Sequence, residues 1–317
     1  MIENSSNQSG IDIEQHASAA PQRQHTRLRE RSKLIAERLL RAARARASSA
    51  INEGVSLPWN RFVVVGDSFA EGVGDPHPDA PGGLRGWADR VAEQLAVINP
   101  ELAYANLAVR GKVINQIYRE QVPACVELKP DLVAVSAGGN DVLRPGSDPD
   151  EIALKLDQLV SELHDTGATV VLFTGIDTKH APVLRAVRGK SAIWSNNVRV
   201  TAERYDAIVV DLWALSELQD WAYWDHDRLH LNALGHHSVA AAVLNALNVP
   251  HGLEPEDPEP RIKQTWREAR KEDAVWAKEH LMPWVIRRIK GVSSGDNIDP
   301  KRPTAEPLTP ASEKHSS

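Results

Sequence analysis

The feature that most constrains the fold is an alternation running from about residue 58 to residue 249. Short apolar runs of strand length fall at 61–65, 103–108, 131–137, 169–174 and 207–212. Longer stretches with apolar residues at helical spacing lie at 86–98, 113–122, 150–163, 184–205 and 232–247. Pro123 is expected to end the second of these helices, and a break is expected near Gly189 in the fourth. Asn232 is a natural N-cap for the last. Short apolar strands joined through helices pair in parallel and need a helical layer on each face.

These elements predict a flavodoxin-like three-layer α/β/α sandwich with a five-stranded parallel sheet, plus N- and C-terminal helical extensions. In open sheets of this kind ligands bind beyond the carboxyl ends of the strands, so chemistry is sought immediately after the first three. The flanks read differently. Residues 1–24 are polar and aperiodic and are expected to be a disordered tail. Residues 25–57 read as a basic helical extension, and the segment 23–46 alone carries a net +7 in a chain of net −6. Residues 250–290 read as an acidic, Pro-rich linker followed by a helical extension bearing Trp266, Trp276 and Trp284. Residues 291–317, with Pro300, Pro303, Pro307 and Pro310, are expected to be a second disordered tail. A fragment spanning about 50–290 should then suffice for folding.

Composition excludes several classes. The acidic balance argues against a nucleic-acid binder, and one cysteine, Cys125, excludes an internal disulfide. No run approaches the length of a spanning helix, and the polar N-terminus lacks the apolar core of a secretory signal. A cytoplasmic location is the resulting expectation. A peripheral membrane contact through 23–46 or 261–290 is the less favoured alternative to packing on the domain.

Four short blocks carry the chemistry. After the first strand comes Gly66-Asp67-Ser68-Phe69, which places a serine at the sheet's carboxyl edge. It is not a Gly-x-Ser-x-Gly elbow, because Ala70 stands at the second glycine, and the glycines of 72–86 lack the Lys-Ser/Thr of a phosphate-binding loop. Gly111 follows the second strand and permits close backbone approach. Gly139-Asn140-Asp141 follows the third and brings an amide donor. Before the last helix, Asp227-Arg228-Leu229-His230 sets a carboxylate three residues from an imidazole. That spacing lets Asp227 fix the imidazole tautomer and leaves the other ring nitrogen free to take a hydroxyl proton. Taken singly, each block also reads as an ordinary turn or cap.

Together, and in this order, the blocks resemble the SGNH/GDSL hydrolases (GDSL-type lipases and esterases), with Phe69 where Leu is usual. The resemblance covers about 60–249. It implies a serine esterase acting on a small acyl ester through Ser68, His230 and Asp227. The oxyanion hole it implies is formed by the Ser68 and Gly111 N–H groups and the Asn140 side chain, with no metal and no cofactor. The run from Gly139 to Arg144 is similar to that of bacterial acyl thioesterase/lysophospholipase members, which makes such an activity the alternative. Two rivals differ in class. A metal site imitates a zincin through His226-Asp227-x-x-His230, with Asp225, His236 and His237 close by, but its acid is Asp227 rather than Glu and the helix starts only at Asn232. A catalytically silent binding protein would not need all four blocks. The stretch 175–197, with Asp177, His180, Arg185 and Trp194, is a candidate wall of the cleft.

Overall fold

The computed structural model describes residues 56–179, 181, 184–258, 275, 276, 278, 279, 282, 295 and 297–308. The expected tail 1–24, nearly all of the basic extension 25–57, and the side chains of Trp266 and Trp284 lie outside the described residues.

The described elements, in chain order, are β1 (Arg61–Gly66), α1 (Trp87–Ile98), β2 (Ala103–Asn106), α2 (Val122–Glu127), β3 (Leu132–Ser136), α3 (Pro149–His164), β4 (Thr169–Phe173), α4 (Arg188–Arg204), β5 (Ile208–Val210), α5 (Ala233–Ala246) and β6 (Arg302–Pro307). They form one six-stranded sheet of order β5-β4-β3-β1-β2-β6. The first five strands are parallel, and β6 runs antiparallel to β2. Strand alternation sorts β1 between two cores. Phe62 and Val64 pack with α1 and α5, while Val63 and Val65 pack with α2, α3 and α4. The chain leaves β1 for β2 on one side and returns to β3 on the other. The switch point therefore lies between β1 and β3, where a cleft opens at the strands' carboxyl ends.

Four expectations are corrected. First, the sheet has six strands, because part of the supposed disordered tail is β6. Its prolines cost little there, since an edge strand leaves one row of backbone groups unpaired in any case. Lys301, just before β6, is buried and donates to Asp89 Oδ2 at 2.5 Å and to the Leu84 carbonyl at 3.2 Å.

Second, Pro123 does not end a helix. It sits in the first turn of α2, where its missing N–H is harmless. The preceding turn, Ile117–Gln121, widens so that the Val122 N–H reaches back to the Ile117 carbonyl. Third, the break expected near Gly189 is present but falls two residues earlier, at Val187, where a tight turn gives way to α4. Fourth, residues 250–258 are docked rather than linking. The Gly252 N–H donates to Gln94 at 3.1 Å, Tyr223 Oη to the Glu256 carbonyl at 3.1 Å, and His237 Nε2 to the Glu254 carbonyl at 2.7 Å. No helix among the described residues is long and apolar enough to cross a membrane.

Candidate active site

The serine block is a one-turn helix, Ser68–Glu71, set directly on the end of β1. Asp67 caps it, its Oδ1 accepting the Phe69 N–H at 3.1 Å. Gln121, buried on the far side, accepts from the Gly66 N–H at 2.7 Å and donates to the Gly66 carbonyl at 2.9 Å. This pair of bonds fixes the strand end from which Ser68 projects. The unusual Phe69 is an anchor, its ring packing on Phe173 and Trp87 with centroids 5.7 Å apart in each case.

The last block is a closed turn. The Asp225 N–H donates to the His230 carbonyl at 2.9 Å, and Trp224 bridges to Leu231. Asn232 caps α5 as expected, accepting from Leu234 and Gly235, and its amide also donates to the carbonyls of Ala222 and Trp224. Within the turn, Asp227 Oδ1 accepts the N–H groups of Leu229 and His230 at 2.9 and 3.0 Å. Its Oδ2 lies 2.6 Å from His230 Nδ1. A carboxylate only accepts, so Nδ1 carries the proton and Nε2 is the acceptor. Nε2 stands 3.0 Å from Ser68 Oγ. Burial works to raise the Asp227 carboxyl. The His230 imidazole and the two N–H donors outweigh it, and the group is held below the ordinary carboxylate range.

The structure therefore brings Ser68, His230 and Asp227 together. It places the other two expected residues less simply. Gly111 is left-handed, with φ 77°, a conformation that excludes most side chains. The N–H groups of Ser68 and Gly111 make no hydrogen bond among the described residues. Gly111 itself is not on the wall of the adjoining cavity. Asn140 is on that wall, but its Nδ2 donates to Asp67 Oδ2 at 3.1 Å and to the Lys112 carbonyl at 2.9 Å. The loop after β2 is tied down twice. Glu71 holds the Arg110 N–H at 2.7 Å and its guanidinium, and Asp141 accepts the Ile114 N–H at 2.9 Å.

The cavity measures about 220 Å³ and is lined by Ser68, Asn140 and His230 together with Phe69, Val142, Phe173, Ile176, Trp194 and Leu231, among others. Trp194 comes from α4 and lies flat against Gly138, where a Cβ would meet its ring at 2.4 Å. Gly138 is left-handed as well, at φ 85°, so this position needs glycine for two reasons. The stretch 175–197 does form a wall of the cavity, through Gly175, Ile176, Thr178, Leu184, Val187, Ser191 and Trp194. Asp177 instead pairs with Arg188, Arg185 stays off the wall, and His180 lies outside the described residues.

The residues of the rival metal site are otherwise occupied. His226 is exposed, and His230 belongs to the serine contact. His236 is buried on the core side of α5, against Trp87 and Phe69, and His237 is buried because residues 254–256 cover the outer side of that helix. His236 Nδ1 accepts the Trp87 N–H, and its Nε2 donates to the Val73 carbonyl. Burial pushes the His236 pKa from 6.5 down to about 3, against that Val73 bond, which raises it. The folded state then binds the proton later than the unfolded chain. Its contribution to stability is complete above about pH 6.5 and is lost as pH falls toward 3, at up to about 1.4 kcal/mol per pH unit. The urea midpoint of a His236→Gln variant should therefore fall less steeply below pH 6.5 than that of the parent. Parallel curves would show that this ring is not the group responsible.

A sequence model of the GDSL-like Lipase/Acylhydrolase family matches residues 64–237, more than half of the chain. The chain belongs to that family. Family membership makes it a carboxylic ester hydrolase. No curated protein matches its sequence. Among solved structures it is similar to LAE5, an alpha/beta hydrolase enzyme from the metagenome of Lake Arreo, Spain, with 24% identity and a TM-score of 0.52 over 60% of this chain and 95% of that one. It is similar to a catalytic mutant of Axe2, an acetylxylan esterase from Geobacillus stearothermophilus, with 20% identity and a TM-score of 0.50 over 59% and 94%. TesA matches with 22% identity and a TM-score of 0.50 over 59% and 97%. At these identities the likeness establishes the shared fold.

Sequence reasoning missed Gln121 and the double duty of Asp67 and Asn232. A lone glutamine on an apolar helix face was the only signal for the first. Nothing local announces that its partner is the end of β1, 55 residues away.

Proposed function

We propose that this hydrolase cleaves esters of medium-length apolar acyl groups, with Ser68 as nucleophile, His230 as general base and Asp227 as the carboxylate that orients it. The observation that carries the reading is the 3.0 Å contact between Ser68 Oγ and His230 Nε2, backed by Asp227 at 2.6 Å, on the wall of an apolar cavity. Ser68 Oγ attacks the carbonyl carbon while Nε2 takes its proton. The tetrahedral oxyanion is received by the Ser68 and Gly111 N–H groups and by Asn140, which exchanges its bond to Asp67 or to the Lys112 carbonyl for it. Collapse breaks the bond to the leaving oxygen, and His230 returns the proton to the departing alcohol. Water, deprotonated by His230, then releases the acid from the acyl-serine.

The cavity sets the acyl class. An apolar cavity of about 150 Å³ holds a benzene, so about 220 Å³ corresponds by proportion to an acyl group of about nine carbons.

The test is a fluorophosphonate label with peptide mapping, run beside a p-nitrophenyl ester series from acetate to palmitate. The label is expected on Ser68, with loss of turnover, and kcat/KM should peak at medium chain length. Labelling that persists in Ser68→Ala places the nucleophile elsewhere. A steady rise from octanoate to palmitate removes the cavity as the acyl site.

A further inference from the structure

Trp276 lies far outside the stretch matched to the family and does not line the cavity. Its indole Nε1–H nevertheless donates to the main-chain carbonyl of Asp227 at 2.7 Å. The next residue, Arg228, is the fourth in the turn from Asp225 to His230 and is left-handed, with φ 53°. For a residue with a long side chain that conformation is strained, because its Cβ crowds the following carbonyl. The Arg228 guanidinium stands over the Trp276 ring at 5.3 Å and over the Trp221 ring at 5.6 Å, both within reach of a cation–π attraction. One indole thus holds the backbone of the acid residue and the side chain of its strained neighbour. Both contacts bear on the peptide from which Asp227 reaches His230 Nδ1.

We propose that Trp276 is a positioning residue for the turn carrying Asp227 and His230, so that the chain after residue 258 helps to set the reactive geometry. The inference rests on Asp227 orienting His230 as argued above. Trp276 touches no reacting atom and no cavity wall, so its influence must pass through Asp227. Loosening the turn lets the carboxylate drift from Nδ1, which slows proton removal from Ser68 and leaves acyl binding alone. The signature is therefore a fall in kcat at constant KM.

The experiment uses the full chain and a p-nitrophenyl ester, with active sites counted by phosphonate titration. Trp276→Phe keeps a ring for Arg228 but removes the N–H donor, and kcat per active site should drop by about fivefold, the scale of one neutral hydrogen bond. Trp276→Ala removes both contacts and should cost more, with KM within twofold of the parent in each case. The same substitutions are then made in Asp227→Asn, where they should have almost no further effect on kcat, because residues acting as one unit are not additive. A full additional loss in that background would assign Trp276 a general structural role and overturn the proposal. So would a parent-like kcat per active site in Trp276→Ala. Full activity of Asp227→Asn by itself would bring down the triad reading first, and with it the route through which Trp276 acts.

Discussion

Replacing His230 by alanine is expected to lower kcat for ester hydrolysis by about 10⁵-fold while leaving KM within about threefold. The size follows from what one ring is asked to do. A serine hydroxyl is a weak nucleophile at neutral pH, and in the proposed mechanism Nε2, 3.0 Å away, is the acceptor that makes attack concerted with proton removal. The same proton must reach the leaving oxygen, so its loss damages both halves of the reaction. In the same proposal the acyl group binds on the apolar wall formed by Phe173, Trp194 and Leu231, which alanine at 230 leaves in place. The phosphonate rate should fall in step with kcat, since both measure attack by Ser68. A large rise in KM with kcat unchanged would make His230 a binding residue, and another base would have to be found.

The second large effect concerns stability. Lys301→Met is expected to destabilise the protein by up to about 3–5 kcal/mol, because it removes the near cation of the buried Asp89 carboxylate and leaves only the Arg302 guanidinium, 3.9 Å away. In a domain of this size that lowers Tm by about 10 °C. Asp89 also accepts the Gly86 N–H at 3.0 Å, so an unbalanced charge there disturbs the start of α1. Asp89→Asn in the same chain should recover much of the loss, since the pair is then removed rather than broken. A fragment ending at residue 290 should fare worse than Lys301→Met. It loses the β6 ladder too and exposes β2 as an unprotected edge. Thermal melts of the parent, the two variants and the fragment decide the matter. A Tm for Lys301→Met within 2 °C of the parent would show that Lys301 does not stabilise the fold.

Much of this was legible from residue order alone. Five of the six strands and the main helices follow from hydrophobic period, because burial on two faces imposes apolar runs on strands and 3.6-residue spacing on helices. The candidate residues were legible because Ser68, Asn140 and the turn bearing Asp227 and His230 each stand directly beyond a strand or before a helix cap, where local sequence marks the boundary. β6 was not legible. Arg302–Pro307 has two prolines and little apolar character, and only the open edge of β2 makes a strand of it. Pro123 misled for a related reason, because the compensating wide turn before it depends on how the helix packs rather than on the proline itself.

The sequence by itself determined the layers of the fold and which residue types stand at the strand ends, since both follow from near-neighbour pattern. Only the tertiary structure decided which of them meet. The 3.0 Å approach of Ser68 to His230 spans 162 residues. Asn140 is drawn to Asp67 across 73 residues. Lys301 is buried on Asp89 across 212. Such contacts depend on chain crossing and close packing, which no window of sequence contains.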